Sequence, residues 1–333
     1  MPTISDRAYQ CLLKYALEPA AEAQLNAHSY GFRPGRSCHD VQQGIFNQLK
    51  ANAKGTRNRI LELDIEKCFD KIDHKFLMQS VQIPRAAKLG IFRAIKAGVR
   101  GEFPSSETGT PQGGVISPLL ANLVLHGLEN VGYELRYKVK NGGTYLDALK
   151  GFRYADDVVY ILSPEDDENI LRERIDQFLA TRGLKVKEAK TKVIKSTDGF
   201  DFLGWNFCVK PNGKFITTPS RKFVKGIKTK VKEVMQDSRF TLEERIDKCE
   251  AVVRGWRNYH RFCDMSQHDL WSLNHWVWKF IRTPRKIQPI PNQQGFEESI
   301  PICKMGSMQV YQRHWDKIPV RRRLSVLVKK RKC

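Results

Sequence analysis

Two adjacent carboxylates, Asp156 and Asp157, stand between two apolar and aromatic runs, and this arrangement predicts a site for a hard cation. The runs at 152–154 and 158–162 predict a short β-hairpin with the two acids at its bend. Neighbouring side chains of a straight strand point to opposite faces, so consecutive acids share one place only where the strand turns. Two close carboxylates repel each other, and either a raised pKa or a bound cation can hold them together. Paired oxygen ligands suit Mg²⁺ as that cation.

A third carboxylate, Asp64, is expected to complete this site. The segment 60–65 alternates apolar residues with Glu62 and Asp64, so one face of the predicted strand can pack on a core while Asp64 points outward. Three carboxylates on two adjacent strands suit two Mg²⁺ ions about 4 Å apart, the arrangement used for in-line phosphoryl transfer. An Asp-Asp pair alone is more often an ordinary turn, so this interpretation depends on the accompanying motifs.

Several long motifs occur in an order that is typical of one family. The hairpin at 154–157, the strand through Asp64 and the loop at 109–118 resemble the ordered palm motifs of reverse transcriptases. The segment YGFRPGRSCHD at 30–40 narrows the resemblance to the group II intron-encoded reverse transcriptase/maturase family. This similarity implies an α+β, right-hand polymerase fold, in which fingers and palm with an antiparallel sheet and packed helices precede an α-helical thumb.

The resemblance implies an RNA-directed DNA polymerase (reverse transcriptase) and intron maturase, which extends a DNA primer on an RNA template and assists group II intron splicing and mobility. It implies two Mg²⁺ ions, for which Mn²⁺ is a substitute, held by Asp64, the Ile65 carbonyl, Asp156 and Asp157. The expected partners are group II intron RNA, an RNA template with its DNA primer, and deoxynucleotide triphosphates. No membrane partner is expected, and homodimerisation is left open. The expected location is the bacterial cytoplasm or an organellar matrix, without secretion.

Five residues are expected to contact the incoming nucleotide or the template. In the resembled family an aromatic at the place of Phe69 lies under the nucleotide sugar and favours deoxynucleotides. By the same resemblance, Gln112 borders the nucleotide and template, and Lys190 stands near the leaving pyrophosphate. Arg33 and Arg36 lie in a turn-rich loop, and arginine forks suit phosphate oxygens. For these two arginines, surface ion pairing is an equal alternative.

Two further groups complete the expected contacts. The hairpin at 200–205 resembles the primer-grip motif, whose members here are Phe202, Leu203 and Gly204. The segment at 254–260 resembles the signature of the maturase-specific thumb domain. Three arginines in and after it recur at helical spacing and make a row suited to RNA phosphates: Arg254, Arg257 and Arg261.

The positive charge of the chain is concentrated towards its end. The net charge is +21, and residues 208–333 hold 28 Lys and Arg against 11 Asp and Glu, whereas residues 1–207 hold 29 against 25. This asymmetry predicts a C-terminal region that binds a polyanion with salt-sensitive affinity. A merely solvated basic surface is the alternative.

Composition also excludes some classes of protein. The apolar content of 41% supports real cores, and neither a membrane span nor a signal peptide is expected from the sequence. The eight cysteines contain no C-x-x-C pair, which favours reduced thiols in small core spaces over disulfides or a zinc site.

These patterns divide the chain into fingers and palm at 1–210, a helical thumb at 211–300 and a basic tail at 301–333. A helix is expected in 8–26, closed by Pro19. A helix opened by Ser117 and Pro118 is expected beneath the sheet that bears the carboxylates. Three amphipathic helices are expected in the thumb. The first has the apolar stripe Phe223, Ile227, Val231 and Val234, and the second starts with a capping box of Thr241 and Glu244.

By the resemblance, the chain begins in the middle of the fingers region. The alternative function is therefore a truncated, catalytically inactive RNA-binding splicing factor. A third hypothesis, an RNA-dependent RNA polymerase, is disfavoured by Phe69.

Overall fold

The computed structural model describes a defined part of the chain, which comprises residues 3–50, 58–96, 108–110, 113–132, 138–140, 143–145, 149 and 151–264. The chain forms two compact units. One consists of Met1–Leu203 and Phe207–Ile216, and the other of Gly204–Asn206 and the chain from Thr217 onward. The expected third thumb helix and the basic tail at 301–333 lie outside the described residues, and the boundary at 210 stays a prediction.

The described elements are helices combined with antiparallel strands, which confirms the expected α+β class. In chain order they are α1 Ile4–Gln24, α2 Cys38–Leu49, β1 Arg59–Leu63, α3 Cys68–Lys71, α4 His74–Ser80, α5 Arg85–Lys96, α6 Ser117–Val124, β2 Lys138–Lys140, β3 Gly143–Tyr145, β4 Gly151–Tyr154, β5 Asp157–Leu162, α7 Glu168–Ala180, β6 Lys192–Lys195, β7 Phe200–Phe202, β8 Trp205–Val209, β9 Phe215–Pro219, α8 Arg221–Gln236 and α9 Leu242–Tyr259.

Strand β1 lies inside a four-stranded sheet with the order β4-β5-β1-β6, and it is antiparallel to both neighbours. Simple alternation predicts one buried face, yet Ile60 and Leu61 are both fully buried. Leu61 joins the main core. On the other face Gly44 of α2 lies against Phe152, which pairs with Val159 across the sheet. Because both faces are covered, the register of the sheet is strongly fixed.

Helix α6 packs under the main-core face of the sheet, as we expected. It begins with a proline in its first turn and buries seven of its eight residues. Its leucines share one core with Leu61 and Leu63 of β1. One buried member, Asn122, is polar and donates a hydrogen bond to the Gly31 carbonyl at 2.7 Å. This helix therefore carries a polar group into the region beneath the acidic hairpin.

The first helix does not end where we expected. We expected closure at Pro19 within residues 8–26, whereas α1 starts earlier and runs on through that proline. Pro19 removes only the donor that would bond the carbonyl of Tyr15, and both residues are exposed, so water can take the donor's place. Burial of Leu13 and Leu17 on the opposite side holds the helix across this point.

The second unit is built on two packed helices, α8 and α9. Helix α8 buries Ile227, Val231 and Met235, which confirms two residues of the expected stripe, whereas Phe223 and Val234 are not fully buried. Helix α9 starts with the expected capping box, in which Thr241 and Glu244 satisfy each other's backbone donors. At its end Tyr259 stacks on Trp205, with ring centroids 4.9 Å apart.

Two expectations from composition concern the whole described part of the chain. Within it, no helix is both long and apolar enough to cross a membrane. Its cysteines are all free thiols, which agrees with the expected reduced state: Cys11, Cys38, Cys68, Cys208, Cys249 and Cys263.

Two glycines should respond oppositely to alanine. A Cβ on Gly31 would meet the backbone nitrogen of Ala155 far inside contact distance, so Gly31→Ala should lower the free energy of unfolding by about 1–3 kcal/mol. Gly226 lies within α8, and among the described residues nothing stands within 4 Å of its added Cβ. Gly226→Ala should therefore raise stability by about 0.5–1 kcal/mol. Urea denaturation of both variants measures this, and equal effects would contradict it.

Candidate active site

The acidic hairpin has a two-residue turn, and its two aspartates occupy different positions, one in the turn and one in a strand. Tyr154 pairs with Asp157 across the hairpin, so Ala155 and Asp156 form the turn. Ala155 has φ +59°, a left-handed conformation that a non-glycine residue adopts only when its surroundings enforce it. Of the two aspartates that we expected at the bend, only Asp156 lies in it, and Asp157 is the first residue of β5.

Asp64 lies directly after β1, at the same end of the sheet. The register pairs Leu63 with Val158, so its continuation by one residue places Asp64 opposite Asp157. Residues opposite each other in an antiparallel pair point to the same face, with Cβ atoms roughly 4.5–5.5 Å apart. The structure therefore sets Asp64 against Asp157, with Asp156 in the adjoining turn.

The electrostatics of Asp157 show that the three carboxylates act on one another. Although solvent reaches this residue, its carboxyl group is crowded by protein, and this lost hydration raises its pKa to about 6, with the charges of Asp156 and Asp64 adding to the effect. The charge of Lys190 acts in the opposite direction. Asp157 is therefore a carboxyl group whose ionisation its surroundings disfavour.

Lys190 contacts the acidic cluster directly. Its ammonium lies 2.5 Å from Asp64 Oδ2, and this hydrogen bond raises the pKa of the lysine. The lysine side chain is 61% exposed, so this ion pair contributes little to stability. The segment before Lys190 is also tied to Asp64, because the Lys187 amide donates to the Asp64 carbonyl at 2.8 Å.

The donor set fits a hard divalent cation in its chemistry. It consists of carboxylate oxygens and backbone carbonyls, which are the ligands that Mg²⁺ prefers. Within the described residues, however, no three His, Cys, Asp or Glu side chains converge closely enough to hold a metal ion as they stand. The positive charge that Asp64 meets in this arrangement is the Lys190 ammonium.

Ile65, the expected carbonyl ligand, lies in an isolated antiparallel bridge with Val186. The two hydrogen bonds around this bridge join Glu66 to Lys185 and Lys187 to Asp64. The Ile65 carbonyl takes part in neither bond. It is therefore compatible with a ligand role, which stays a prediction.

Phe69 lies beside the start of the loop that was expected to border the nucleotide. Its carbonyl accepts a hydrogen bond from the Thr110 amide at 2.6 Å, and the neighbouring Gly109 amide donates to Ile72 at 2.8 Å. The Phe69 ring is partly buried against the main core. Gln112 lies outside the described residues.

Arg33 and Arg36 both bond other groups of the protein. Arg33 makes an ion pair, which was the alternative to a nucleotide contact, and Arg36 bonds the backbone. Arg33 is buried, and its guanidinium donates to Glu22 and to the carbonyls of Asn26 and Ser29 at 2.6–3.0 Å. Those contacts commit Arg33 to the protein interior, so the expected phosphate contact is not supported. Arg36 donates to a backbone carbonyl, that of Ala27, and remains partly exposed.

The expected primer-grip residues form a tight turn between β7 and β8. Leu203 and Gly204 both have positive φ, +50° and +84°, as a two-residue hairpin of this kind requires. Phe202 precedes them as the last, buried residue of β7. Their contact with a primer stays a prediction.

Only two of the three arginines that we expected in one row lie on a helix. Arg254 and Arg257 lie on α9, where Arg254 is exposed and pairs with Glu250 at 2.7 Å. Burial lowers the pKa of Arg257. Because α9 ends at Tyr259, Arg261 lies beyond the helix, and its expected place in the row was wrong.

Sequence reasoning missed a buried polar group beneath the hairpin. Arg153 of β4 and Glu129 are both fully buried and joined by an ion pair of 2.5 Å. Asn122 and Ser29 also bond this guanidinium, at 2.9 and 2.6 Å. The available signal was an arginine inside an apolar strand, because a charge is buried there only when it is paired.

Comparison with known proteins agrees with this geometry. Residues 1–207 match the family model for reverse transcriptase (RNA-dependent DNA polymerase). The chain therefore belongs to the reverse transcriptase family. Residues 224–284 match the model for the group II intron maturase-specific domain, which confirms the narrower resemblance.

Two relatives illustrate the extent of this similarity. Maturase-like protein 1 of Euglena gracilis is 34% identical over 265 residues, which cover 79% of this chain and 54% of that protein. The group II intron-encoded protein LtrA of Lactococcus lactis subsp. cremoris is 26% identical over 271 residues, covering 64% of this chain and 44% of that protein. The chain thus spans about half the length of these curated relatives.

The raised pKa of Asp157 predicts a pH-dependent stability in the presence of a chelator. Between about pH 4 and pH 6 the folded state binds the extra proton, so stability falls as the pH rises through this window. Asp157→Asn removes the repulsion and should raise Tm on the order of 2 °C above pH 6, with no gain below pH 4. Thermal scans measure both, with Asp198→Asn, at an exposed turn, as the control. A lower Tm at neutral pH would contradict this.

Proposed function

We propose that this chain is an RNA-directed DNA polymerase that also acts as a group II intron maturase. The observation that carries this proposal is the register that sets Asp64 against Asp157, one residue from Asp156. A cluster of carboxylates at the end of an antiparallel sheet, in a chain of the reverse transcriptase family, is suited to nucleotidyl transfer. Extension of a DNA primer on an RNA template is the activity that this arrangement supports best.

In this proposal Asp64, Asp156, Asp157 and the Ile65 carbonyl would hold two Mg²⁺ ions. When bound, such ions lower the pKa of a primer 3′-hydroxyl and neutralise charge on the triphosphate. The aspartates set the position and the negative charge of the site, and Asp64 must release Lys190 before it can act as a ligand. The released lysine then stands at the edge of the site, where it can contact the leaving pyrophosphate.

Selection of the nucleotide is assigned to Phe69. Its backbone is tied to Thr110, and its ring packs on the main core, so its position is restrained from two sides. A bulky ring held in this way can exclude a 2′-hydroxyl and so favour deoxynucleotides. This supports a DNA polymerase over an RNA polymerase.

RNA binding is assigned in part to the second unit, whose helix α8 is strongly basic. Lys222, Lys225 and Lys232 are exposed and recur on the side of α8 opposite the buried Ile227 and Val231. Such a face suits phosphates of an RNA backbone, and the maturase-specific domain that includes most of α8 supports intron RNA as that partner. Homodimerisation and cellular location stay predictions.

Primer extension with Mg²⁺ on an RNA template tests the polymerase proposal. Wild-type chain should extend the primer with deoxynucleotides, and Asp156→Ala or Asp64→Asn should reduce the rate by roughly 10²–10³-fold or more, because the electrostatic centre of the reaction is lost. Asp198→Ala, which removes an exposed acid outside the site, should extend normally. Full activity of Asp156→Ala would reject the site.

A second candidate is RNA binding without polymerisation, which the exposed basic face of α8 favours. Replacing Lys222, Lys225 and Lys232 together by Gln should weaken intron RNA binding and reduce the slope of log affinity against log salt by roughly 2, because three phosphate contacts are lost. Filter binding across a salt series measures this. An unchanged slope would show that RNA does not contact this face.

Salt-sensitive RNA binding without primer extension by the wild-type chain would favour the second candidate. Binding together with extension would favour the first. The two assays use the same protein preparation, so a folding defect is detected as the loss of both.

A further inference from the structure

Arg153 is the most heavily bonded buried charge in the described part of the acidic hairpin. Its guanidinium is fully buried and donates to four acceptors on four segments. Nε bonds the Glu129 carboxylate at 2.5 Å, and Nη2 bonds the Ser29 hydroxyl at 2.6 Å. Nη1 bonds both the Asn122 side-chain oxygen at 2.9 Å and the Ala155 carbonyl at 3.0 Å. The last contact reaches the turn that carries Asp156.

Gly31 also holds the turn at Ala155 and Asp156. Gly31 packs so closely on the Tyr154–Ala155 backbone that its site has no room for a Cβ. Its carbonyl accepts a hydrogen bond from Asn122, the residue that also bonds Arg153. The backbone of Arg153 bonds His28 and Tyr30 at 3.0 and 2.9 Å. Ala155, whose φ is +59°, is therefore restrained at its carbonyl by Arg153 and at its nitrogen by the packing of Gly31.

The network continues beyond the hairpin through a shared serine. The Ser29 hydroxyl binds Arg153, while its carbonyl accepts a hydrogen bond from Arg33 at 2.8 Å. Arg33 in turn pairs with Glu22 of α1. The two buried arginines thus tie the loop before α2 and the helix α1 to the strand that leads into the acidic turn.

We propose that Arg153 is a positioning residue, which sets the place of Asp156 and Asp157 through its bonds to Ala155, Asn122, Glu129 and Ser29. This proposal rests on the proposed metal-dependent function, because it assigns Arg153 the task of pre-arranging the two aspartates for divalent ions. Arginine suits the task because its planar fork can bond acceptors in several directions at once. A lysine, as a point charge on a flexible stem, cannot.

Direct metal binding tests the proposal without reference to polymerase activity. Mn²⁺ is titrated into the full chain without RNA, and free Mn²⁺ is measured by electron paramagnetic resonance. Arg153→Lys keeps the charge opposite Glu129 but loses the fork, and it should weaken Mn²⁺ binding by roughly 10–100-fold. Ser29→Ala removes one bond only and should weaken Mn²⁺ binding by roughly 2–10-fold, and an unchanged affinity would count against the proposal.

The matched control is another buried arginine of the same chain. Arg245 is fully buried and bonds the carbonyls of Phe240 and Met235 in the second unit, away from the aspartates in the chain and in its contacts. Arg245→Lys should lower Tm as Arg153→Lys does, yet leave Mn²⁺ affinity unchanged. The Mg²⁺ concentration for half-maximal primer extension should rise in Arg153→Lys and stay unchanged in Arg245→Lys.

The outcomes separate this proposal from the proposed function. Unchanged Mn²⁺ affinity in a folded Arg153→Lys chain would overturn it, as would an equal loss in Arg245→Lys, since that loss reports general destabilisation. If Arg153→Lys does not fold, Ser29→Ala decides by the same readout. A wild-type chain that binds Mn²⁺ without extending a primer defeats the polymerase proposal alone, and one that binds no Mn²⁺ defeats both.

Discussion

The repulsion between like charges at one end of the sheet is the constraint on which this structure depends. Asp64 and Asp157 face each other because the register of β1 and β5 allows no other partner, and Asp156 follows in the adjoining turn. A register is firm only when slipping would expose buried side chains. Here Ile60 and Leu61 are both fully buried, so both faces of the sheet resist such a slip. Apolar packing thereby supplies the rigidity that holds mutually repelling acids together.

A buried ion pair close to this cluster supports its geometry at a cost in stability. Taking Arg153 and Glu129 out of water is expensive, and an apolar pair of similar size is often as stable or more so. What the apolar pair lacks is direction, because only a hydrogen-bonding fork can hold the Ala155 carbonyl and Asn122 in fixed places. The arrangement is therefore understandable as specification of one turn conformation rather than as a source of stability.

The sequence predicted local features better than side-chain contacts between distant elements. The Thr241–Glu244 capping box and the hairpin around Asp156 are local, and both occur as expected. The continuation of α1 through Pro19 was missed because exposure of the freed carbonyl depends on packing elsewhere. For Arg33 the sequence left ion pairing open as an alternative, but it could not name the partner, since Glu22 belongs to a different element. Contacts of this kind have no period that a sequence pattern can reveal.

The exposed bond between Lys190 and Asp64 links charge balance to function in a simple way. A lysine that is 61% exposed keeps much of its hydration, so the bond is weak, and the divalent ion of the proposed function would replace it at little cost. Without that lysine the acids would lose the counter-charge that the described residues place in contact with Asp64, and the pKa of Asp157 would rise further. Lys190 therefore offsets part of the repulsion among the acids, and its weak bond would compete little with the proposed cation. A buried lysine would have satisfied the acids permanently, and the cluster could then have served only as structure.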